Sequence, residues 1–277
     1  MKSGKYRYRP VRFYFIVFAL TWLFWVIASI IRHYGATMLL MLLGLLVPAA
    51  TAVVMVYSSR SDALKGDFKR KLVGFYRIKP RSILAAGALF GGIVAVSILI
   101  STLLGQSISQ FAFTEGFSFS VNGSSALLTI LLASVIEEVG WRGYGEDAIA
   151  NYYSWFWESI LFGVIWSLWH LPLFFISGTY HAGLAQLGMG YVLNFLFSVI
   201  PLGFLTTWVY VKNSRSMLAC IIFHLFVNFF QEKIAMTPQT KCVETAVITL
   251  VAVLIVLLNK SMFFETHHVG NLLGEEA

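Results

Sequence analysis

Long runs of hydrophobic residues, separated by short segments rich in glycine, proline and charge, dominate this chain. Several runs extend for about 18 residues or more, which is the length that a helix needs to cross a bilayer. We place eight spans at about 13–31, 37–57, 82–104, 124–142, 156–176, 183–210, 216–232 and 243–259. The short alternating segments typical of outer-membrane barrels are absent. The pattern therefore predicts an all-α fold, a polytopic transmembrane helix bundle of about eight spans.

The composition supports this fold class and gives no sign of a soluble region. Hydrophobic residues make up 58% of the chain and charged residues only 12%, against roughly 25% charged residues in a soluble domain. We see no internal repeat and no low-complexity tract, so a single integral-membrane domain over residues 1–277 is expected. The two cysteines, Cys220 and Cys242, form neither a disulfide framework nor a metal motif.

Lysine and arginine are concentrated on one side of the predicted spans. They precede span one, fill the connection 58–81, join spans six and seven, and follow span eight. The positive-inside rule therefore predicts cytoplasmic termini and a cytoplasmic 58–81 connection, which could lie flat in the interface as an amphipathic helix. Attraction to anionic lipid accounts for these charges, and no nucleic-acid partner is expected. We expect the protein in the cell membrane of a prokaryote, or in the endoplasmic reticulum if the source is a eukaryote.

A few polar residues interrupt the apolar spans. Glu137 and Glu138 end an apolar run and Arg142 follows, although a carboxylate at the bilayer centre costs roughly 2.5 to 3.5 kcal/mol. Residues four apart share a helix face, so Glu138 can pair with Arg142, while Glu137 points about 100° away. One carboxylate of the pair is thus left to face another element.

Histidine and asparagine side chains in later spans suggest what that carboxylate does. If the bundle brings His170 beside Glu137, the two could hold a water molecule and remove its proton. His224 and Asn228 are four residues apart on one helix face, and two converging donors suit an oxyanion.

Other interpretations of these polar residues remain open. Each group alone also has a structural explanation: a helix-end histidine, an ion pair within one helix, or hydrogen bonds between membrane helices. A zinc protease could use Glu137, His170 and His224 as ligands, although the chain has no HExxH motif. A proton-coupled transporter would also bury such groups, but the paired broken spans of transporters are not visible.

Three segments of the chain carry a family resemblance. Residues 137–142, 166–170 and 224–228 resemble the EExxxR, FxxxH and HxxxN motifs of the CAAX protease and bacteriocin-processing family. The resemblance covers a motif-bearing core of about 125–230. Trp166 stands where the family usually has phenylalanine, a change that affects the shape of the pocket.

The resemblance implies an intramembrane glutamate endopeptidase of the type II CAAX prenyl protease kind, without cofactor or metal. Glu137 and His170 would activate the water, His224 and Asn228 would stabilise the tetrahedral intermediate, and Glu138 and Arg142 would support the site. Substrates would be membrane-associated proteins or peptides, either prenylated at a C-terminal CAAX sequence or, as in bacterial relatives, linked to bacteriocin immunity or peptide maturation. A non-catalytic immunity protein with the same fold is the alternative.

One geometric question follows from the predicted topology. Span four would place Glu137 toward the cytoplasmic half, whereas His170 lies far along span five, near its other end. The two could meet if span five starts late or kinks near Pro172.

Overall fold

The computed structural model describes residues 6–31, 33–74, 78–114 and 126–273, and almost all of them belong to helices. The α-helices in chain order are α1 (Pro10–Ile30), α2 (Tyr34–Tyr57), α3 (Asp62–Val73), α4 (Pro80–Leu103), α5 (Ala126–Gly140), α6 (Glu146–Ala150), α7 (Trp155–Trp169), α8 (Tyr180–Leu187), α9 (Met189–Lys212), α10 (Met217–Lys233), α11 (Pro238–Leu258) and α12 (Lys260–Phe264). Within these described ranges there is no strand beyond one isolated bridge, between Phe113 and Ile234. The predicted all-α fold is confirmed.

Six helical segments are long and apolar enough to cross a membrane: α1, α2, α4, α9, α11, and α7 together with the 3-10 turn Leu171–Phe175. The shorter α5 and α10 occupy the predicted spans 124–142 and 216–232, although residues 124 and 125 lie outside the described residues. Helix α5 does not stop at Gly140. It continues through the π-helical turn Trp141–Gly145 into α6. The protein is thus a multi-pass integral membrane protein, and its organisation as a single domain over 1–277 stays a prediction.

Two predicted spans are broken in the structure. The span predicted at 183–210 is divided at Gly188, whose φ of +133° ends α8 and lets α9 start in a new direction. The span predicted at 156–176 is α-helical only to Trp169, because Pro172 follows and cannot continue the backbone hydrogen bonds. The segment between α4 and α5 is described only as far as Thr114.

Glycines allow the helices that carry the polar residues to approach their neighbours closely. A Cβ atom on Gly140 of α5 would lie 2.5 Å from Cβ of Pro48 in α2. A Cβ atom on Gly163 of α7 would lie 2.9 Å from Cα of Ile200 in α9. Small residues at such crossings are typical of membrane helix packing, where close van der Waals contact replaces the hydrophobic driving force.

Most of the basic regions of the sequence lie together at one end of the bundle, and the C-terminal segment 265–273 packs beside them; we call this end the basic face (residues 6–12, 58–74, 78–81, 212–216 and 265–273). Arg215, in the turn before α10, donates to Oδ2 of Asp67 at 2.8 Å and to the carbonyl of Leu272 at 3.1 Å. Tyr152 donates to the carbonyl of Tyr8 at 2.7 Å. These contacts bring the N-terminal segment, α3, the 212–216 turn and the C-terminal segment to one side, as the topology prediction requires. The compartment that this side faces stays a prediction.

Helix α3 is docked on the protein, and its position in the membrane interface stays a prediction. Lys71 is fully buried, and its Nζ donates to Oδ2 of Asp147 at 2.6 Å and to the carbonyls of Arg142 and Gly143 at 3.0 and 3.1 Å. Burial alone would raise the pKa of Asp147, but the adjacent Arg215 and Lys71 outweigh it and lower that pKa to about 2. The carboxylate is therefore ionised at neutral pH and anchors α3 to the turn after α5.

The orientation of the basic face can be tested by cysteine labelling in a background with Cys220→Ser and Cys242→Ser. Lys65→Cys places a thiol on α3, and we expect a membrane-impermeant maleimide to modify it only after permeabilisation, because basic connections stay in the cytoplasm. Gln186→Cys, on the exposed side of α8 at the other end of the bundle, is the control and should react in intact cells. Modification of position 65 in intact cells would contradict the prediction.

Candidate active site

The structure brings together the four side chains predicted to be catalytic. Glu137 comes from α5, His170 from the end of α7, and His224 and Asn228 from α10, and all four line one cavity of about 210 Å³. Trp166 of α7 lies between them, with its ring centroid 6.0 Å from that of His170 and 5.8 Å from that of His224. Three separate helices thus contribute to one polar centre inside an apolar bundle.

The predicted difference in depth between Glu137 and His170 disappears for two reasons. Because α5 continues through the π-helical turn into α6, Glu137 lies near the middle of a longer helical stretch rather than at its cytoplasmic end. Because α7 ends at Trp169, His170 lies at the helix terminus, where the chain turns across the bundle. Both side chains therefore reach the same cavity.

Two indole groups hold the Glu137 carboxylate. Trp166 Nε1 donates to Oε2 of Glu137 at 3.1 Å, and Trp141 Nε1 donates to the same oxygen at 3.4 Å. Both of these hydrogen bonds use Oε2, so Oε1 is the oxygen that remains to accept a proton from a ligand. A phenylalanine at position 166, the residue usual in the family motif, could not donate this bond.

The hydrogen bond of His170 determines which of its ring nitrogens is protonated. Nδ1 lies 2.7 Å from the carbonyl oxygen of Trp166. A carbonyl oxygen only accepts, so Nδ1 carries the proton and the Nε2 atom of the neutral ring has a free lone pair. This tautomer suits a residue that accepts a hydrogen bond from water.

Glu138 has a different environment, because it connects Arg142 to His224. Arg142 Nη1 donates to Oε1 of Glu138 at 3.2 Å, and Nε lies 3.0 Å from Oε2, within ion-pair distance although not aligned as a hydrogen bond. Arg142 Nη2 lies 3.0 Å from Oε1 of Glu146 in the same way. His224 Nδ1 lies 2.8 Å from Oε1 of Glu138. The carboxylate must accept this bond, so Nδ1 of His224 carries a proton and Nε2 points elsewhere.

Asn228 is oriented by a serine on the neighbouring helix. Its Nδ2 donates to Oγ of Ser134 at 3.2 Å, and that hydroxyl donates to the carbonyl of Ile130 at 2.8 Å. An amide nitrogen has two hydrogens. One is used by Ser134, and the other is available to a ligand in the cavity.

Several polar residues of the cavity wall could not be identified from the sequence. His181 of α8 is only 8% exposed, its ring stacks on His170 at 5.7 Å between centroids, and neither ring nitrogen has a partner among the described residues. Gln231, Lys241 and Glu244 also line the cavity. Glu244 did have a sequence signal, because it is a carboxylate within the apolar span 243–259.

The arrangement of ligand atoms also bears on the zinc interpretation. In the part of the chain that the structure describes, no group of three or more histidine, cysteine, aspartate or glutamate side chains converges as a metal site would require. Glu137, His170 and His224 share a cavity wall without forming such a group.

Comparison with known proteins assigns the family. The family model described as Type II CAAX prenyl endopeptidase Rce1-like matches residues 121–230. CAAX prenyl protease 2 of Methanococcus maripaludis is 39% identical over 266 residues, which are 95% of this chain and 98% of that protein. The chain belongs to the type II CAAX prenyl endopeptidase family. Lysostaphin resistance protein A of Staphylococcus haemolyticus is 24% identical over 122 residues, which are 44% of this chain and 31% of that relative.

Membership of the CAAX prenyl endopeptidase family agrees with the resemblance of the three motifs. All three motifs lie within the matched range 121–230. The protein is accordingly an intramembrane endopeptidase, a hydrolase whose fold is the helix bundle described above.

The indole of Trp166 gives a testable prediction. Trp166→Phe keeps an aromatic ring but removes the hydrogen bond to Glu137, and hydrogen bonds to charged groups contribute roughly 1.5–3 kcal/mol. We expect kcat to fall by about 10-fold with little change in KM, because the carboxylate is then held by Trp141 alone. Trp157→Phe, an exposed position on α7, is the matched control. A Trp166→Phe enzyme with wild-type kcat would show that the bond does not position the carboxylate.

Proposed function

We propose that the protein hydrolyses a peptide bond near the C-terminus of a prenylated CAAX substrate by a glutamate-type mechanism, in which Glu137 and His170 activate a water molecule. The observation that carries this proposal is the meeting of Glu137, His170, His224 and Asn228 on one cavity, with a free acceptor atom on each of the first two.

In the first step a water molecule donates one hydrogen bond to Oε1 of Glu137 and one to Nε2 of His170. Glu137 removes a proton as the water oxygen attacks the carbonyl carbon of the scissile bond. The electron pair of the C=O bond moves onto oxygen and gives a tetrahedral oxyanion. When the C–N bond breaks, the protonated Glu137 returns its proton to the departing amine nitrogen.

The oxyanion is stabilised by donors from α10. Asn228 Nδ2 has one hydrogen left over from its bond to Ser134. His224 donates from Nε2 in its protonated form, whose charge the Glu138 carboxylate balances at 2.8 Å. Arg142 supports the site through Glu138, because it holds the second side of that carboxylate. Donors fixed in place before the reaction give the largest benefit.

The proposed substrate class comes from the family. The methanococcal relative is named as a CAAX prenyl protease, and we extend to this chain a prenylated, membrane-associated protein as substrate. The lipid-facing bundle suits a substrate whose isoprenoid keeps it in the bilayer. Cleavage of matched prenylated and unprenylated CAAX peptides by the purified enzyme, with the cut mapped by mass, tests this proposal. Cleavage of neither peptide would overturn the substrate class.

The alternatives make different predictions for the same preparation. A zinc protease would contain metal and lose activity with a chelator. An enzyme with the glutamate mechanism would be active without metal and in the presence of a chelator. A non-catalytic immunity protein would keep its biological effect when Glu137 is replaced by alanine.

Replacement of the proposed base is the most direct mutational test. Glu137→Gln keeps the shape and the indole bonds but removes the basic carboxylate, and general acid–base catalysis typically contributes ~10²–10⁴-fold. Turnover should fall at least ~100-fold while the protein still folds. Glu138→Gln should differ, because it weakens the Arg142 pair and lowers thermal stability as well as rate. Wild-type turnover by Glu137→Gln would remove Glu137 from the mechanism.

Asn228 separates oxyanion stabilisation from substrate binding. An amide cannot act as a base, so its catalytic role must be that of a donor. Loss of one oxyanion donor costs ~10²–10³ in kcat, so Asn228→Ala should lower kcat by that factor with a small change in KM. Ser134→Ala, which removes only the group that orients Asn228, should have a smaller effect in the same direction. If Asn228→Ala raised KM alone, the residue would be a binding contact.

A further inference from the structure

Two cavities meet at the proposed catalytic centre and differ in character. They share Glu137, His170, His181, Asn228 and Glu232 in their walls. The apolar cavity, of about 130 Å³, extends between α1, α2 and α5, and its wall includes Trp25, Met41, Leu45, Ile130, Ala133 and Leu173. The polar cavity, of about 210 Å³, extends toward α8 and the adjoining ends of α10 and α11, and its wall includes Tyr180, Gln231, Lys241 and Glu244. A peptide that crosses the centre would therefore have a lipid-like side and a polar side.

Lys241 is a cation in the wall of the polar cavity. Its Nζ donates to the carbonyl of Gln231 at 3.2 Å and lies 4.6 Å from the centroid of the Tyr180 ring. None of the ion pairs formed among the described residues includes Lys241. An ammonium group has three N–H donors, so Lys241 keeps donor capacity for a ligand.

Glu244, an acidic side chain of the polar cavity, is already held by another group. Both carboxylate oxygens of Glu244 accept from Nε2 of Gln231 at 2.9 Å. Gln231 thus contacts Glu244 through its side chain and Lys241 through its backbone carbonyl. It lies between the carboxylate and the ammonium, which do not form an ion pair with each other. A negative group that enters the polar cavity can approach the ammonium.

We propose that Lys241 binds the C-terminal carboxylate of the substrate and thereby selects a scissile bond close to a free C-terminus. The proposal rests on the proposed function, because it assigns a binding role within the same site. Hydrogen bonds between an ammonium and a carboxylate are strong where solvent is limited, and Lys241 is partly buried beside the ring of Tyr180. The prenyl side of the substrate would then lie toward the apolar cavity.

The distances agree with a short C-terminal segment. Gln231 is three residues beyond Asn228 on α10, about 4.5 Å along the helix axis. The Lys241 ammonium lies 3.2 Å from the Gln231 carbonyl oxygen. Together these two lengths place the cation roughly 8 Å from the level of Asn228 on α10, and an extended chain advances ~3.3–3.6 Å per residue. Two to three residues after the scissile bond would therefore bring the terminal carboxylate to Lys241.

The test compares one prenylated peptide with a free C-terminal carboxylate and the same peptide as a carboxamide. The wild-type enzyme should prefer the free acid in kcat/KM by roughly 10- to 100-fold, the range of a charge-assisted hydrogen bond. Lys241→Met should lose most of this preference by lowering the rate on the acid, and Lys241→Arg should retain part of it. Lys233→Met removes a neighbouring cation outside the cavity, whose Nζ donates to the carbonyl of Thr114 at 2.7 Å, and should keep the wild-type preference.

Several outcomes would overturn the assignment of Lys241. Equal cleavage of acid and amide by the wild-type enzyme would do so, as would an equal loss on both substrates in a Lys241→Met protein that keeps its thermal stability. If that variant does not fold, Lys241→Gln and Lys241→Arg are compared on the same peptide pair, and a preference unchanged in Lys241→Gln also overturns it. Failure of the wild-type enzyme to cleave either peptide would instead count against the proposed function, because it does not depend on Lys241.

Discussion

The buried guanidinium of Arg142 is the constraint on which the rest of the site depends. It is fully buried in a helix that lies within the membrane bundle, and a charge in that position must be paired. Glu138 and Glu146, one turn before and one turn after it, supply the pairing, and the ring of Phe162 packs 4.8 Å from its guanidinium carbon. Because Glu138 also contacts His224, the arginine fixes the orientation of a histidine on another helix. Removal of one partner of a buried pair typically costs about 3–5 kcal/mol.

The backbone carbonyls of the π-helical turn after α5 need hydrogen-bond donors, and Lys71 of the basic face and Tyr210 of α9 supply them. The carbonyls of Arg142 and Gly143 lie in this turn and accept hydrogen bonds from Lys71, and Tyr210 also donates to the first of them. Lys71 is held in turn by Asp147, whose low pKa keeps it ionised. The helical stretch that carries Glu137 is therefore held at the π-helical turn by side chains of α3 and α9. This support explains why Lys71 is buried, although the other lysine and arginine side chains of α3 are at least partly exposed.

Local spacing in the sequence predicted the parts of the site that lie on one helix. The Glu138–Arg142 pair and the common face of His224 and Asn228 follow from four-residue separation, which is fixed by helix geometry. The indole donors to Glu137 could not be predicted, because they depend on how α7 crosses α5 and on a π-helical turn that no spacing rule reveals. The same holds for Lys241, which no motif or spacing in the sequence distinguishes. Its place in the cavity arises from the meeting of the ends of α8, α10 and α11.

The direction of the polar cavity connects membrane orientation to substrate access. Helix α10 begins beside Arg215 on the basic face and ends at Lys233, so the cavity wall beyond Asn228 lies toward the opposite face. The ends of α8 and α11 that line the cavity lie there too. With the basic face in the cytoplasm, the C-terminal residues of a bound substrate occupy the outer half of the membrane. With the reverse orientation, they occupy the cytoplasmic half. The side on which α3 lies therefore determines in which half of the membrane a substrate carboxylate meets Lys241.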